Sequence, residues 1–440
     1  MLEEIIANNI SSARASKHPI FDTTTDYDAL LAKRNAVVEK WRGLGTEDRA
    51  KFKNQSDFEQ QMGSPDLRRD DLIPARNLSL VRNEIRERIN AQNTLELLPL
   101  ETLDFDDSLL ELAESLENTA ELRELYRLRK KTAGATKNSG ISAEEAARLK
   151  NCLSQGRELF LAGKQGSLMV KPLNFFYALT AYSYGVIVLN NPIRYAKSNL
   201  PGSHGMGYLP NVVQAQFGGD SATGTFSDLV TAFPTQLVKN PGIEVNIGCA
   251  ESLIEFYQIR HNVSLGTLLS MIPEMTEYYK LTTGSESRCH PLEVINANDP
   301  RSLTWEFHIG DGEKRPAPDG IENAFPGLKK AERFGKVVVT VPATSATAMK
   351  ACIYTDMRGK LWYIDNPFFP VILPEIATHF LINSVFSNIM RYRPEEWGDV
   401  VLNNVSSNIS LVTRHYFSSF QRKFLLVVLR SLSRYIPYAV

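Results

Sequence analysis

The sequence predicts an α+β fold that is mostly helical and contains one inserted antiparallel sheet. Residues 170–192 are apolar on nearly every face, much of the remaining chain places apolar residues at helical intervals, and residues 291–365 are its most strand-like part. A segment that is apolar all round has to be covered on all sides, by protein or by lipid. It therefore predicts a central helix against which the other helices pack.

The central segment is predicted to be a buried helix and not a membrane span. Asn174, Thr180 and Ser183 interrupt it and it carries three tyrosines. A spanning helix needs about 18 or more uninterrupted apolar residues. Pro172 suits the first helical turn, and Pro192 lies where the helix should have ended.

Residues 1–135 are predicted to form a helical N-terminal extension. Residues 27–41 and 109–129 place apolar side chains at intervals of three and four, as in a packed bundle or a short coiled coil. A basic, glycine-containing connector at 130–142 marks the domain boundary. The second predicted domain is therefore 136–440.

The second domain is predicted to be helical before and after the central helix. Ser142 and Glu145 form a capping box that starts its first helix. After the central helix, glycines and prolines at 198–210 indicate a turn-rich loop, and residues 212–247 are expected to be irregular and partly β. Helix is expected again at 264–271.

The β-rich insertion, residues 291–365, is predicted to be an antiparallel sheet. Residues 302–309 and 336–341 alternate or cluster apolar side chains as strands do. The runs from Cys352 and from Leu361 flank a turn in which Gly359 takes the left-handed conformation. Three further helices are expected after it, at 376–390, from 394 and at 413–435.

Composition and motifs exclude several classes of protein. The 49 basic and 50 acidic residues give a net charge of -1, which excludes a globally basic nucleic-acid binder. We expect neither a metal nor a cofactor, because the four cysteines form no C-x-x-C pair and the chain contains no G-x-x-x-x-G-K-[ST], H-E-x-x-H or G-x-S-x-G. The first residues lack the features of a secretion signal, so a cytoplasmic location is expected.

Several blocks of the second domain form a common packing pattern. The blocks are Gly156-Arg-Glu-Leu-Phe160, the central helix with its Lys171-Pro-Leu start and the following His204-Gly, Leu268-Leu-Ser-Met-Ile-Pro-Glu274, and Arg391-Tyr-Arg-Pro-Glu-Glu-Trp397 before a closing Arg422-Lys-Phe-Leu segment. Together they resemble the YaaC-like family of bacterial proteins over about residues 156–440. The resemblance implies a shared fold, a bacterial or phage-related origin and an association with antiviral defence operons, and it assigns no reaction.

His204 is the first candidate catalytic residue. It lies between small neighbours in the glycine-rich loop, where an accessible imidazole could serve as a general base. The alternative is a turn histidine bonded to nearby backbone. His379, by contrast, lies on an apolar helix and is predicted to be a core residue.

The segment 391–396 supplies the other candidate catalytic residues. Pro394 forces a bend that would present the guanidinium groups of Arg391 and Arg393 beside two carboxylates, those of Glu395 and Glu396. The alternative is a helix N-terminus whose glutamates complement the helix dipole while Trp397 packs inward.

The last predicted helix carries the candidate nucleic-acid-binding residues. No acidic residue occurs from Val400 to Val440. A basic strip for phosphate could result, and the same side chains could equally pair with acids elsewhere in the fold. The strip residues are Arg422, Lys423, Arg430 and Arg434.

Two functions of different class follow from these observations. The first is a binding or assembly component of a bacterial antiviral-defence-type complex, with a homo-oligomer or an operon-encoded protein as partner, with nucleic acid as a further contact and without a membrane. The alternative is a nuclease or other hydrolase with a site assembled from His204 and the Arg391–Glu396 segment.

Overall fold

A computed structural model describes most of the chain. The described residues are 27–62, 96–101, 103–132, 140–190, 200, 202–219, 224–233, 259–296, 304–310, 317–318, 321, 328–333, 336–342, 352–368, 372–433 and 435–439. They divide into two compact units, with the boundary between residues 83 and 84.

The first unit is helical in its described part. Its elements are α1 (Tyr27–Gly43), α2 (Thr46–Arg49) and α3 (Gln55–Gln61). Aromatic packing joins α1 to α3, since the ring centroid of Phe58 lies 5.3 Å from that of Trp41 and 4.9 Å from that of Phe52, which precedes α3. The predicted helix at 27–41 is confirmed by α1.

The second unit starts with a strand and four helices. They are β1 (Glu96–Leu100), α4 (Phe105–Ser115), α5 (Thr119–Thr132), α6 (Ala143–Gln165) and α7 (Lys171–Asn190). The hydroxyl of Ser142 accepts from the backbone N–H of Glu145 at 3.1 Å, as the capping box predicts. Arg157 on α6 bonds the carboxylate of Glu117 at 2.7 Å, which ties α6 to the α4–α5 connection.

Helix α7 is the buried central helix. Phe175, Phe176 and Tyr182 are at most 2% exposed. Among the described helices, α7 alone is long and apolar enough to cross a membrane, and 78% of its most apolar window is buried inside the protein, as in the core helix of a soluble protein. Helices on several sides cover it, so the central helix is mostly buried, as predicted, although Tyr177 is 37% exposed.

A small antiparallel sheet follows α7. It consists of β2 (Met206–Leu209), β3 (Gln214–Phe217) and β4 (His261–Ser264) in that order. The described α-helices of this region are α8 (Thr225–Thr231), α9 (Leu265–Ser270) and α10 (Thr276–Thr283).

The β-rich insertion is an antiparallel sheet of six strands. Its strands are β5 (Cys289–Asn296), β6 (Thr304–Ile309), β7 (Lys329–Arg333), β8 (Lys336–Pro342), β9 (Ile353–Thr355) and β10 (Leu361–Ile364). They lie in the order β7-β8-β6-β5-β10-β9, and each neighbouring pair is antiparallel. Gly359 has φ +77° in the turn between β9 and β10, so the predicted hairpin and the α+β class are both confirmed.

The chain ends with three helices and a strand. They are α11 (Glu375–Tyr392), α12 (Pro394–Leu402), α13 (Ser407–Leu432) and β11 (Tyr435–Ala439). The predicted helix at 413–435 thus starts earlier and ends before Ser433, where an extended backbone leads into β11. Arg129 of α5 donates to the carbonyls of Leu432 and Ser433 at 2.6 and 3.2 Å, which caps the end of α13.

Strand β11 pairs in parallel with β1, so the two ends of the second unit meet. Since α4 and α5 belong to the same compact unit as α6, that unit also contains residues N-terminal to the predicted boundary at 135. The sequence pattern does not predict the β1–β11 pairing, because partners that are more than 330 residues apart leave no local periodicity.

Candidate functional site

The loop that carries His204 is held rigidly against the start of α8. The backbone N–H of Thr225 donates to the carbonyl of Ser203 at 3.0 Å, and that of Phe226 donates to the carbonyl of His204 at 3.1 Å. A Cβ added to Gly224 would lie 2.3 Å from the nitrogen of Gly205, so only glycine allows this approach. The position of His204 is therefore set by its backbone.

The imidazole of His204 packs against aromatic rings of α7. Its centroid lies 4.9 Å from that of Phe176 and 6.2 Å from that of Tyr177. The Nδ1 atom is buried without a hydrogen-bond partner among the described residues. The ring is thus not tied to nearby described backbone, which was the alternative predicted for a turn histidine.

The pKa of His204 lies below its ordinary value. Burial lowers this pKa first, and the positive charge of Arg391 lowers it further. The structure therefore brings together two predicted site residues that are far apart in the chain. The result is a neutral imidazole beside a guanidinium at neutral pH.

Arg391 lies at the end of α11. Its Nε donates to the carbonyl of Ser387 at 3.3 Å, and its guanidinium carbon lies 4.9 Å from the ring centroid of Tyr392. Its Nη2 donates to Oδ1 of Asn388 at 3.5 Å, and the guanidinium still has donors to spare. Arg391 can therefore hold an anion beside His204.

Arg393 separates α11 from α12 and is paired within its own segment. Its Nη1 lies 2.8 Å from a carboxylate oxygen of Glu396, while Glu395 is exposed. Arg393 and Glu396 also act on Tyr208 of β2: burial raises the pKa of Tyr208, the charge of Arg393 lowers it and that of Glu396 raises it. The first turn of α12 thus lies near the strand that follows His204.

The structural alternative for 391–396 is also observed. Trp397 is 1% exposed, and its indole N–H donates to the carbonyl of Met169 at 3.0 Å. Glu395 and Glu396 occupy the first turn of α12, where negative charge is favourable. The segment therefore anchors α12 and borders the His204 loop at the same time.

The prediction that Lys423 belongs to a basic, phosphate-binding strip on α13 is wrong. Its side chain is 1% exposed, its Nζ lies 2.7 Å from Glu274, and it forms a second ion pair with Glu375. Burial by itself would lower the pKa of Lys423, but the two carboxylates raise it above its ordinary value. Lys423 is a charged residue paired inside the protein and does not face solvent.

The prediction that Arg430 belongs to this strip is also wrong. Its Nη1 donates to the carbonyl of Thr355 at 3.1 Å and its Nη2 to that of Pro437 at 3.3 Å, so the guanidinium is directed at backbone carbonyls inside the protein. Arg422 is exposed and borders a shallow groove with Lys164 and Asp106. Arg434 lies outside the described residues.

Lys423 belongs to a buried polar network that the sequence did not predict. His379 is 1% exposed, as predicted for a core residue, and its Nδ1 lies 3.1 Å from the hydroxyl of Tyr416. Burial lowers the pKa of His379 well below its ordinary value. The signal in the sequence is Lys423 itself, since a lysine on an apolar helix face requires an acidic partner.

Metal ligands do not converge in the described part of the chain. There, no three His, Cys, Asp or Glu side chains are grouped so that they could hold a metal ion.

The described architecture is that of an α+β protein built on a buried helix, with a half-buried histidine whose pKa is lowered in part by the charge of an arginine on another helix. A family model described as YaaC-like Protein matches residues 114–432, from the end of α4 to the end of α13. The chain belongs to the YaaC-like family. The match begins earlier than the resemblance in the sequence, which started at about residue 156. No curated protein and no solved structure matches the chain.

Proposed function

We propose that the chain binds a phosphate group of nucleic acid at the surface formed by His204, Arg391 and Arg393, as a binding component of a bacterial antiviral-defence-type complex. One observation carries this proposal: Phe176 packs against both His204 and Phe380 of α11, with ring centroids 4.9 and 5.4 Å away, and the charge of Arg391 on α11 lowers the pKa of His204. A guanidinium recognises phosphate through paired N–H donors. A neutral imidazole adds a donor or an acceptor without charge.

The charges around this surface limit the contact to one or two phosphates. Arg391 and Arg393 contribute two positive charges, and Glu395 and Glu396 contribute two negative charges. A long basic track is therefore not formed by this segment. The logarithm of the binding constant should fall with the logarithm of salt concentration with a slope of about −1 to −2, since each phosphate contributes about −0.9.

Binding measurements on variants test the proposal. We expect Arg391→Gln to weaken binding of single-stranded RNA or DNA by about tenfold, because it removes a charged hydrogen bond. Arg422→Gln is the matched control, since Arg422 is also an exposed arginine but lies on α13. Fluorescence anisotropy over a salt series measures both quantities. Equal affinity of wild type and Arg391→Gln, or a loss only in Arg422→Gln, would contradict the proposal.

Hydrolysis of a phosphodiester is the second candidate function of the same surface. The lowered pKa of His204 favours it, because a general base has to be unprotonated and Arg391 could stabilise negative charge on the reacting phosphate. Cleavage should then require His204, and its rate should rise with pH along a limb that lies below the ordinary histidine value of 6.5. RNA and DNA cleavage by wild type and His204→Ala decides between the two functions. Equal cleavage by both proteins, or none by either, removes the histidine from any mechanism.

The assembly part of the proposal has its own test. A component of a complex is expected to form a homo-oligomer or to co-purify with the products of neighbouring genes. Light scattering at micromolar concentration measures this directly. A chain that stays monomeric, both alone and with those neighbours, contradicts the assembly role and leaves the phosphate site to be judged by its own experiment.

A further inference from the structure

A polar cavity lies away from His204, between α9, α10 and the start of β5. It is open to solvent, has a volume of about 530 Å³ and is lined mainly by hydroxyl and charged groups. A volume of this size accommodates a small metabolite. The lining residues that the argument uses are Tyr279, Glu286, Ser287, Arg288 and Asp365.

The backbone of Arg288 is fixed from two sides of the cavity. Its N–H donates to the carbonyl of Ser270 at 2.9 Å, and its carbonyl accepts from the N–H of Asp365 at 2.9 Å. These bonds join the connection before β5 to α9 and to the segment after β10. The position from which the side chain enters the cavity is thus set by the fold.

The guanidinium of Arg288 is anchored on one nitrogen only. Its Nη1 lies 2.6 Å from a carboxylate oxygen of Asp365 and 3.4 Å from the carbonyl of the same residue. Within the described residues, Nε and Nη2 make no further hydrogen bond. Two donors on one edge of a planar guanidinium match two oxygens of a phosphate or carboxylate.

The other groups of the cavity suit hydroxyl groups of a ligand. Ser287 is 8% exposed, and its hydroxyl oxygen accepts from the N–H of Cys289 at 3.3 Å, which leaves the hydroxyl hydrogen to donate. The carboxylates of Glu286 and Asp365 can accept from hydroxyl groups. Glu286 is paired with Lys280 and Asp365 with Arg288, so these four groups carry no net charge that would repel an anion.

We propose that this cavity binds a sugar phosphate, either free or as part of a nucleotide. The phosphate binds the open edge of Arg288, and the sugar hydroxyls bind the carboxylates of Asp365 and Glu286 with Tyr279 and Ser287 beside them. This site is separate from the surface at His204, because the two sets of residues share no member. It would give the protein a small-molecule ligand in addition to its proposed nucleic-acid contact.

Calorimetry and thermal-shift measurements with ribose 5-phosphate, adenosine monophosphate, ribose and inorganic phosphate test this proposal. We expect the two phosphorylated sugars to bind and Arg288→Gln to weaken them by about tenfold or more, because two charged hydrogen bonds are lost. Arg358→Gln is the matched control, since Arg358 is an exposed arginine that does not line the cavity, and its replacement should leave the affinity unchanged. Tighter binding of adenosine monophosphate identifies a nucleotide site, and tighter binding of ribose 5-phosphate a site for the free sugar phosphate.

Several results would overturn the proposal. They are no binding of either phosphorylated sugar, unchanged affinity in Arg288→Gln, and binding of inorganic phosphate as tight as that of ribose 5-phosphate, which would mean a simple anion site. If Arg288→Gln fails to fold, as judged by circular dichroism, Tyr279→Phe takes its place with an expected loss of about threefold or more, since one hydrogen bond is removed. An unchanged affinity in that variant then contradicts the assignment.

The variant His204→Ala should bind both phosphorylated sugars normally. Failure of the sugar-phosphate site and failure of the proposed nucleic-acid site can therefore be distinguished.

Discussion

At the scale of single residues, Lys423 links the polar groups buried around α13. It forms ion pairs with Glu274 and Glu375 at once, and each of the three residues comes from a different element. Burial raises the pKa of Glu375, and Lys423 acts in the opposite direction by favouring its charged form. Removing the lysine would leave two buried carboxylates that have to be protonated or hydrated.

We expect Lys423→Met to lower the free energy of unfolding by about 3 to 5 kcal/mol, because breaking a buried ion pair from one side leaves uncompensated charge. Urea denaturation followed by circular dichroism measures the loss. The neighbouring Arg422→Met is the control, since Arg422 is exposed and its change should stay within about 0.5 kcal/mol. Similar losses in the two variants would show that Lys423 contributes little through its carboxylate partners.

At the scale of elements, α6 and α7 approach closely because glycines replace side chains between them. A Cβ on Gly163 would lie 2.7 Å from Cε1 of Phe175, and one on Gly156 would lie 2.9 Å from Cδ2 of Tyr182. Both distances are too short for real carbon atoms, so a larger residue would push the helices apart or displace a buried ring. This contact gives a physical reason for Gly156 in the sequence block that resembles the family.

We expect Gly163→Ala to destabilise the protein by about 1 to 3 kcal/mol, although alanine favours helix by about 1 kcal/mol over glycine. Gly398 on α12 supplies the matched comparison, because no atom lies within 4 Å of a Cβ built there. Gly398→Ala should therefore be neutral or stabilising. Melting temperatures of the two variants measure the difference, and a gain in both would mean that α6 and α7 can separate without cost.

At the scale of the whole molecule, we expect one buried and two half-buried histidines to make stability depend on pH. Burial lowers the pKa of His204, His379 and His415 in the folded protein. As pH falls below about 6.5, the unfolded chain binds protons that the folded protein excludes, so the free energy of unfolding decreases. Glu375 opposes this trend, because its raised pKa lets the folded protein keep a proton that the unfolded chain has lost.

His379 should contribute most to this acid sensitivity, because it is 1% exposed and its pKa is lowered furthest by burial. A single excluded proton changes the free energy of unfolding by at most about 1.4 kcal/mol per pH unit. We expect His379→Gln to lose about 1 kcal/mol of pH dependence per unit between roughly pH 6.5 and roughly pH 5.5. Urea denaturation at several pH values measures the slope, and an unchanged slope would assign the acid sensitivity to other groups.

The sequence by itself determined the elements whose periodicity is local. The covered central helix, the cap at Ser142, the hairpin with Gly359 and the α+β class were all predictable, because each depends on neighbours within a few residues. His379 was also predictable as a core residue, since its helix is apolar around it. His204 and Arg391 were chosen as candidate site residues from their own chemistry and from their neighbours in the sequence. Their roles are proposals.

Only the tertiary structure decided which distant residues meet. It placed Lys423 between Glu274 and Glu375. The helical pattern alone is equally compatible with a Lys423 that belongs to a basic surface strip. The tertiary structure also paired β1 with β11 and brought Arg391 to His204. The physical reason is that charge pairing, strand pairing and burial depend on where other elements pack, and a helical or strand period carries no information about partners hundreds of residues away.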